Sequence, residues 1–404
     1  MAVPEATDRP LRAAVIGAGF VGPHHVDAIR RSGYGEVVAL GGADAARTAA
    51  KAASLGVERS SADAAELIGD SSIDVIHICT PNATHVSLAS AALRAGRHVV
   101  IEKPIAMDAA GAAELVAVAR ESGRHAMVAF TYRGYPMIRR ARQLVAEGEV
   151  GSIRLVHGGY LQDWLAEPTD WNWRIDPAAG GASRAVADIG THWFDTVEHV
   201  TGLRIEAVFA DLATFMPVRQ RPAGGRVEAF SSSGAETEPV EVASEDAATI
   251  LVRFAGGARG SVVISQVSPG HKNSFSFEVA GERRSVAWAQ EEPERLSLRT
   301  RAEETVLTRG QDPGAGRGVP SLPAGHPEGW SDALRDLLRP YYAAIAAGEP
   351  PPGPGADAPY PTLEAGERAL RFVDAVVRSS ATERWVSVEP GAGPSGANPA
   401  NSAR

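Results

Sequence analysis

Arg12-Ala13-Ala14-Val15-Ile16-Gly17-Ala18-Gly19-Phe20-Val21-Gly22 lies near the start of the chain and sets its architecture. A short apolar run of strand length enters three glycines spaced G-x-G-x-x-G, and a helical pattern leaves them. Each glycine answers a separate need. Gly17 permits the tight turn, Gly19 lets backbone N–H groups approach a diphosphate, and Gly22 lets helix and strand pack closely. The helix that starts here, with Phe20 and Val21 at its head, adds the partial positive charge of its N-terminus. The segment therefore predicts the first strand-to-helix turn of a dinucleotide-binding unit.

Working outward, the apolar runs Val37–Leu40, Val75–Cys79, His98–Ile101 and Ala126–Phe130 are also of strand length. Alanine-rich helical stretches such as Thr48–Leu55 and Val86–Ala95 separate them. Strands of continuous apolar character are buried on both faces, and alternation with helices implies parallel pairing through right-handed crossovers. After Pro136 the pattern changes. A helix over Met137–Glu147 leads into a strand, Ile153–Tyr160, and then into two-residue periodicity at Ala207–Phe215, Ala248–Phe254, Gly260–Val267, Ser274–Val279, Ser285–Ala289 and Leu296–Thr300. Helical patterns return at Trp330–Ala347 and Thr362–Ser379. The predicted fold is α/β followed by α+β: a Rossmann doubly wound parallel sheet over 11–135, then a domain over 136–386 with a large, mainly antiparallel open sheet. Residues 1–10 and 387–404 read as disordered, because they bury too little to offset the entropy of ordering. Pro217–Glu245, with Ser231-Ser232-Ser233-Gly234, reads as a long mobile insertion.

Composition narrows the function. Of 404 residues, 44% are hydrophobic and 22% charged, so the chain folds around sizeable cores. Its net charge of −9, without a long basic run, argues against nucleic acid or an anionic membrane as partner. A single cysteine, Cys79, excludes an intrachain disulfide framework and a cysteine-rich zinc site. No apolar stretch approaches the ~18 residues of a membrane span. These features lead to the expectation of a soluble, cytoplasmic protein.

Three further places carry chemistry. At the end of the second strand, where an NAD site usually holds a carboxylate, stands Gly42. Asp44 comes two residues late and is equally suited to cap the next helix, while Arg47 could reach a 2′-phosphate; NAD and NADP both remain open. Glu102-Lys103-Pro104 follows the strand His98–Ile101, at the sheet end that lines the ligand crevice. Burial and a neighbouring cationic nicotinamide lower a lysine pKa there and suit Lys103 to proton transfer or to holding a hydroxyl; the plainer alternative is an exposed lysine paired with Glu102. Asp188 and His192 stand four apart in the helical stretch Ala187–Thr201, so a regular helix would bring carboxylate and imidazole together. On such a helix Asp195 and His199 share the same stripe. Spread over nearly 17 Å at ~1.5 Å per residue, the four are too far apart to bind one metal ion, and Asp195 and His199 read as a solvated face. No metal is expected. His24, His25 and His77 read as structural and Cys79 as a small buried hydrophobe.

Together, Gly17–Gly22, Glu102-Lys103-Pro104 and the Asp188/His192 pair resemble the Gfo/Idh/MocA oxidoreductase family, from about Leu11 to Val386. Thr80-Pro81-Asn82-Ala83-Thr84-His85 also matches the family's T-P-N-x-x-H turn beside the cofactor, which places Thr80, Pro81, Asn82, His85 and Glu102 there. The resemblance implies NAD or NADP, with NAD preferred, hydride exchange with a carbinol carbon, Lys103 assisting deprotonation, and His192 as acid/base oriented by Asp188. Tyr160-Leu161-Gln162-Asp163-Trp164 resembles levoglucosan-type sugar dehydrogenases, which oxidise a ring C3 hydroxyl. With Trp171-Asn172-Trp173-Arg174 it suggests a sugar or polyol held by Gln162, Asp163, Trp164, Trp173 and Arg174 as well as Lys103, Asp188 and His192. Alternatively, Trp164, Trp171 and Trp173 anchor a loop under the sheet. The resemblance further implies a homodimer or homotetramer packed through the C-terminal sheet. Two other functions fit the same motifs: an NAD-dependent glycosidase or lyase using transient oxidation, and a non-catalytic nucleotide or sugar sensor.

Overall fold

Residues 9–222, 236–310 and 322–389 are described by a computed structural model. Six strands build the first sheet: β1 (Leu11–Ile16), α1 (Val21–Ser32), β2 (Gly35–Gly41), α2 (Ala45–Ser54), β3 (Arg59–Ser61), α3 (Ala64–Gly69), β4 (Val75–Ile78), α4 (His85–Arg94), β5 (His98–Ile101), α5 (Ala109–Ser122) and β6 (Ala126–Val128) follow in chain order. Their spatial order is β3-β2-β1-β4-β5-β6, with every neighbouring pair parallel. The cause is visible along the strands. Nearly every residue of β1, β4, β5 and β6 is buried, so helices must cover both faces. Aspartates start three of those helices by accepting backbone N–H bonds: Asp44 on α2, Asp63 on α3 and Asp108 on α5. The three-residue edge strand β3 was not among the expected elements.

The second unit comprises α6 (Pro136–Ala146), β7 (Ile153–Leu161), α7 (Pro177–Gly180), a π turn at Val186–Gly190 that runs into α8 (Thr191–Thr201), β8 (Ile205–Ala213), β9 (Val218–Pro222), β10 (Thr237–Glu241), β11 (Ala247–Phe254), β12 (Arg259–Ser265), β13 (Ser274–Gly281), β14 (Ser285–Ala289), β15 (Arg295–Arg299) and β16 (Glu304–Thr308). After these come α9 (Trp330–Ala346), α10 (Leu363–Thr382) and the two-residue β17 (Val386–Ser387). Nine strands pair in the order β16-β15-β14-β13-β7-β12-β11-β8-β17. Only β7 and β12 among them run parallel. Inward side chains of this sheet, including Val156, Ile250, Val262, Phe275 and Trp288, share one core with Trp193 and Val197 of α8 and Phe372 of α10. The opposite face leaves Leu155, Leu251 and Val263 exposed.

Two expectations need correction. Pro217–Glu245 is not simply a mobile insertion: β9 and β10 pair antiparallel, and Arg219 is buried against Asp246. Ser231–Gly234 lies outside the described residues. Order also reaches further at both ends than expected. Arg9 forms a two-bonded pair with Asp74, and β17 adds to the large sheet before Val388 is buried. Residues 1–8 and 390–404 lie outside the described residues. The C-terminal helices return to the first sheet. There α9 packs on α1, and its Tyr341 hydroxyl donates to the carbonyl of Val99, while Thr362 bridges to Met127.

Candidate active site

The carboxyl ends of β1, β4 and β5 form the floor of a crevice. Gly17 has φ +117°, and a Cβ there would lie 2.3 Å from the Cys79 carbonyl oxygen. At Gly22 a Cβ would lie 2.0 Å from the Gly17 carbonyl oxygen, so both glycines are required by the protein's own packing. Gly19 differs: nothing stands within 4 Å of the position its Cβ would take. That open space sits where α1 begins, and no side chain caps the first N–H groups of that helix. The cradle fits a dinucleotide diphosphate. Phe20 is exposed beside it, its ring edge-on to His24. His85 and Asn82 tie the Thr80-Pro81 turn down. The His85 ring nitrogens lie 2.7 and 2.8 Å from the carbonyl oxygens of Pro104 and Thr80, and Asn82 donates to Gly180. At the ribose end a Cβ on Gly42 would press on Thr48, and Asp44 accepts the Arg47 N–H as the cap of α2. The capping reading of Asp44 is therefore realised, and the exposed Arg47 stands one turn further on.

Across the crevice lies the reactive cluster. Lys103 does not pair with Glu102; its Nζ donates to both the carboxylate and the backbone carbonyl of Asp188, each at 2.7 Å. Arg174 adds a bond to the same carboxylate oxygen, and Gln266 donates to the other. Burial alone would lift the Asp188 carboxyl, but the charges of Arg174 and Lys103 hold it well below the usual carboxylate range. Contrary to the expectation from a regular helix, the Asp188 carboxylate binds Lys103 and, among the described residues, makes no hydrogen bond to His192. The π turn supplies the reason: its extra residue breaks the i,i+4 register and turns the Asp188 carbonyl toward an outside donor. Burial, reinforced by the Lys103 charge and opposed by Asp188, holds the His192 imidazole well below its ordinary value, so it is neutral. Among the described residues its Nδ1 is buried without a partner, as are Oε1 of Gln266 and Nδ2 of Asn172. Such atoms cost on the order of 1–3 kcal/mol each unless water or a ligand meets them.

The walls combine expected residues with others that sequence reasoning missed. His192 packs edge-on against Tyr132, with ring centroids 4.9 Å apart. From Tyr132 a hydrogen-bonded chain runs through Tyr160 and Asn273 to Gln162, which accepts the Trp164 indole N–H. Arg174 lies over the Trp173 ring at 4.4 Å. Trp171 is buried with Leu165, Ile175 and Val242, so it anchors its loop, and part-buried Trp164 packs against the same cluster. Asp163 is not part of the cluster; it pairs with exposed Lys272 and the Gly270 N–H. Asp195 and His199 do not form a solvated face either. Arg133 binds Asp195 through two bonds, and Arg142 donates to His199. Among the described residues no three His, Cys, Asp or Glu side chains converge as a metal site. Tyr132 could have been found from its place just beyond β6, at the crevice end of the sheet. Gln266 carried no signal, since its partner lies 78 positions away.

A Rossmann sheet with an open diphosphate cradle, facing a lysine–carboxylate cluster and a neutral histidine, defines a nicotinamide-dependent oxidoreductase. Residues 11–130 match the oxidoreductase family with NAD-binding Rossmann fold, and residues 138–287 match the GFO/IDH/MocA C-terminal domain. The chain is 31% identical over 399 residues to levoglucosan dehydrogenase of Pseudarthrobacter phenanthrenivorans, covering 94% of this chain and 98% of that protein. The solved structure of levoglucosan dehydrogenase in complex with NADH and levoglucosan aligns with a TM-score of 0.83 at 29% identity, over 94% and 100% of the two chains. An inositol dehydrogenase homologue from Azotobacter vinelandii, complexed with NAD+, aligns with a TM-score of 0.81 at 30% identity, over 96% and 100%. The chain belongs to the Gfo/Idh/MocA family of NAD-binding oxidoreductases and is a dehydrogenase acting on CH–OH groups. Neither the glycosidase or lyase reading nor the sensor reading finds support among these relatives.

Proposed function

We propose that the protein oxidises a secondary ring hydroxyl of a pyranose sugar or related cyclitol, with His192 taking the hydroxyl proton and Lys103 holding the same oxygen. Bound NAD supplies the hydride acceptor. An ammonium has three donors, and Asp188 takes two from Lys103, which leaves one N–H for a substrate oxygen. The single observation that carries this reading is geometric: in one cluster the Asp188 carboxylate pairs with both Lys103 and Arg174, while among the described residues His192 Nδ1 is buried without a partner. A neutral histidine can accept the proton, and the cations favour the developing alkoxide. The face of Trp173 that Arg174 leaves uncovered suits the C–H side of a ring.

No helix among the described residues is long and apolar enough to cross a membrane. The free thiol of Cys79 suits a reducing, cytoplasmic compartment. The apolar outer face of the nine-stranded sheet suits self-association into a homodimer or homotetramer.

The test follows the absorbance of reduced nicotinamide in protein mixed with NAD or NADP and a panel containing levoglucosan, glucose, other pyranoses, a nitrophenyl pyranoside and inositols. Reduction with at least one pyranose or cyclitol is expected. Release of an aglycone without net reduction, or silence across the panel with both cofactors, refutes the proposal.

A further inference from the structure

Four polar side chains cross the apolar layer beneath the cofactor crevice. The Tyr342 hydroxyl of α9 lies 2.7 Å from His77 Nε2 on β4. His77 Nδ1 faces His25 Nδ1 of α1 at 2.8 Å, and His25 Nε2 lies 3.0 Å from Glu102 Oε1 at the end of β5. Both histidines and Tyr342 are fully buried, and Glu102 keeps 9% of its surface. Around them pack Val15, Val26, Ile29, Val75 and Val100. A polar chain in such surroundings is costly unless every member is satisfied, and here every imidazole nitrogen has a partner.

The chain has a direction. Two facing Nδ1 atoms share only one proton, so one imidazole donates and the other accepts. With Glu102 as acceptor at one end, His25 donates from Nε2, its Nδ1 accepts from His77, and His77 Nε2 accepts from Tyr342. The reverse order needs an extra proton at the carboxylate end, on Glu102 or on His25, and makes the Tyr342 hydroxyl an acceptor. Burial lifts the Tyr342 phenol well above its ordinary value, and among the described residues its hydroxyl has only His77 as partner. Burial would also raise the Glu102 carboxyl, but the His25 hydrogen bond and the charges nearby bring it below its usual value. The groups that face this carboxylate are His25, the Lys103 ammonium and backbone N–H, the Cys79 thiol and His85.

We propose that Tyr342, His77 and His25 are positioning residues that hold Glu102 as an oriented carboxylate in the cofactor crevice, and that this fixed charge favours the oxidised, cationic nicotinamide over the reduced, neutral one. Lys103 places a cation in the same crevice, and Glu102 offsets it where the ring's own positive charge arrives. The relay begins on a helix of the C-terminal part of the chain, so the docking of α9 on the first sheet is coupled to the redox preference of the site. The inference rests on NAD binding and not on the choice of sugar.

The test measures dissociation constants for NAD+ and for NADH separately, by fluorescence titration without substrate, in wild type, Glu102→Gln and Tyr342→Phe. Glu102→Gln should weaken NAD+ about tenfold relative to NADH, the scale of one partly screened charge at short range. Tyr342→Phe keeps the ring in place, removes the terminal donor and should shift the same ratio in the same direction by about threefold. A thermal melt of each variant reports whether it is folded. An unchanged NAD+ to NADH ratio in either folded variant overturns the inference, as does equal weakening of both forms by Glu102→Gln.

Discussion

His192 and Lys103 are coupled through charge, and that coupling fixes the sign of the pH response. Because His192 is held well below the ordinary imidazole value by burial and by Lys103, its acceptor form persists on acidification. The acid limb of kcat/KM assigned to it should therefore fall below about 6.5. Lys103→Met removes the cation, so the His192 titration should rise toward the ordinary value when followed by the NMR shift of its ring protons. The same variant should lose at least ~10²-fold in turnover while NADH affinity stays nearly constant. A wild-type turnover, or a His192 titration that does not move, would remove Lys103 from its assigned role. The linked stability has one direction. In the unfolded chain the histidine binds a proton as pH drops through about 6.5, whereas the folded chain does not until a lower pH. Stability is thus full above that value and declines between the two. His77, His85, His98, His125 and His199 are lowered as well, His98 to about 3, so denaturant midpoints should decline from about pH 7 toward 5.

At the scale of elements, the π turn before α8 is the device that aims Asp188 at Lys103. Its start is held by Glu245, whose carboxylate accepts the Ser183 hydroxyl and the backbone N–H groups of Arg184 and Val186. Arg184 in turn is buried against Asp246 beside Arg219. Glu245→Ala strands two buried N–H groups and should cost about 2–4 kcal/mol, read from urea denaturation. It should also lower turnover without weakening NADH, because the π turn lies outside the nucleotide cradle; an unaltered kcat would detach that turn from catalysis. This element also marks where sequence reasoning reaches its limit. Apart from Gly190, Ala185 to His192 carries residues that a regular helix accepts, and the groups that reshape it come from 59 positions downstream at Glu245 and 85 upstream at Lys103. By contrast β1, β4, β5 and the glycine turn were legible, because their burial pattern and backbone needs are written locally. Lys103, His192 and Arg174 were legible as residue types; that Lys103 and Arg174, and not His192, would bind the Asp188 carboxylate was not.

For the molecule as a whole, the nine-stranded sheet is asymmetric: one face is sealed by α6, α8 and α10, and the other leaves apolar side chains in solvent. Leu251 on β11 stands opposite Phe209 on β8 and Ser261 on β12, while Val263 on β12 stands between Thr249 and Gly159. On this face Leu251 and Val263 are each 45% exposed. Contiguous exposed apolar surface on a folded chain marks a place of association, and a stable interface of this kind covers roughly 800 Å² per partner. Leu251→Lys combined with Val263→Lys puts two charges on that face, where a symmetric partner would bring two more against them. The double variant should elute as a monomer in light-scattering chromatography at concentrations where the proposed wild-type dimer or tetramer is populated, and its melting temperature measured in dilute solution should change little, because both side chains already face solvent there. A wild type that is monomeric at ~10 μM, or a double variant that keeps the wild-type mass, would show that the exposed face has another use.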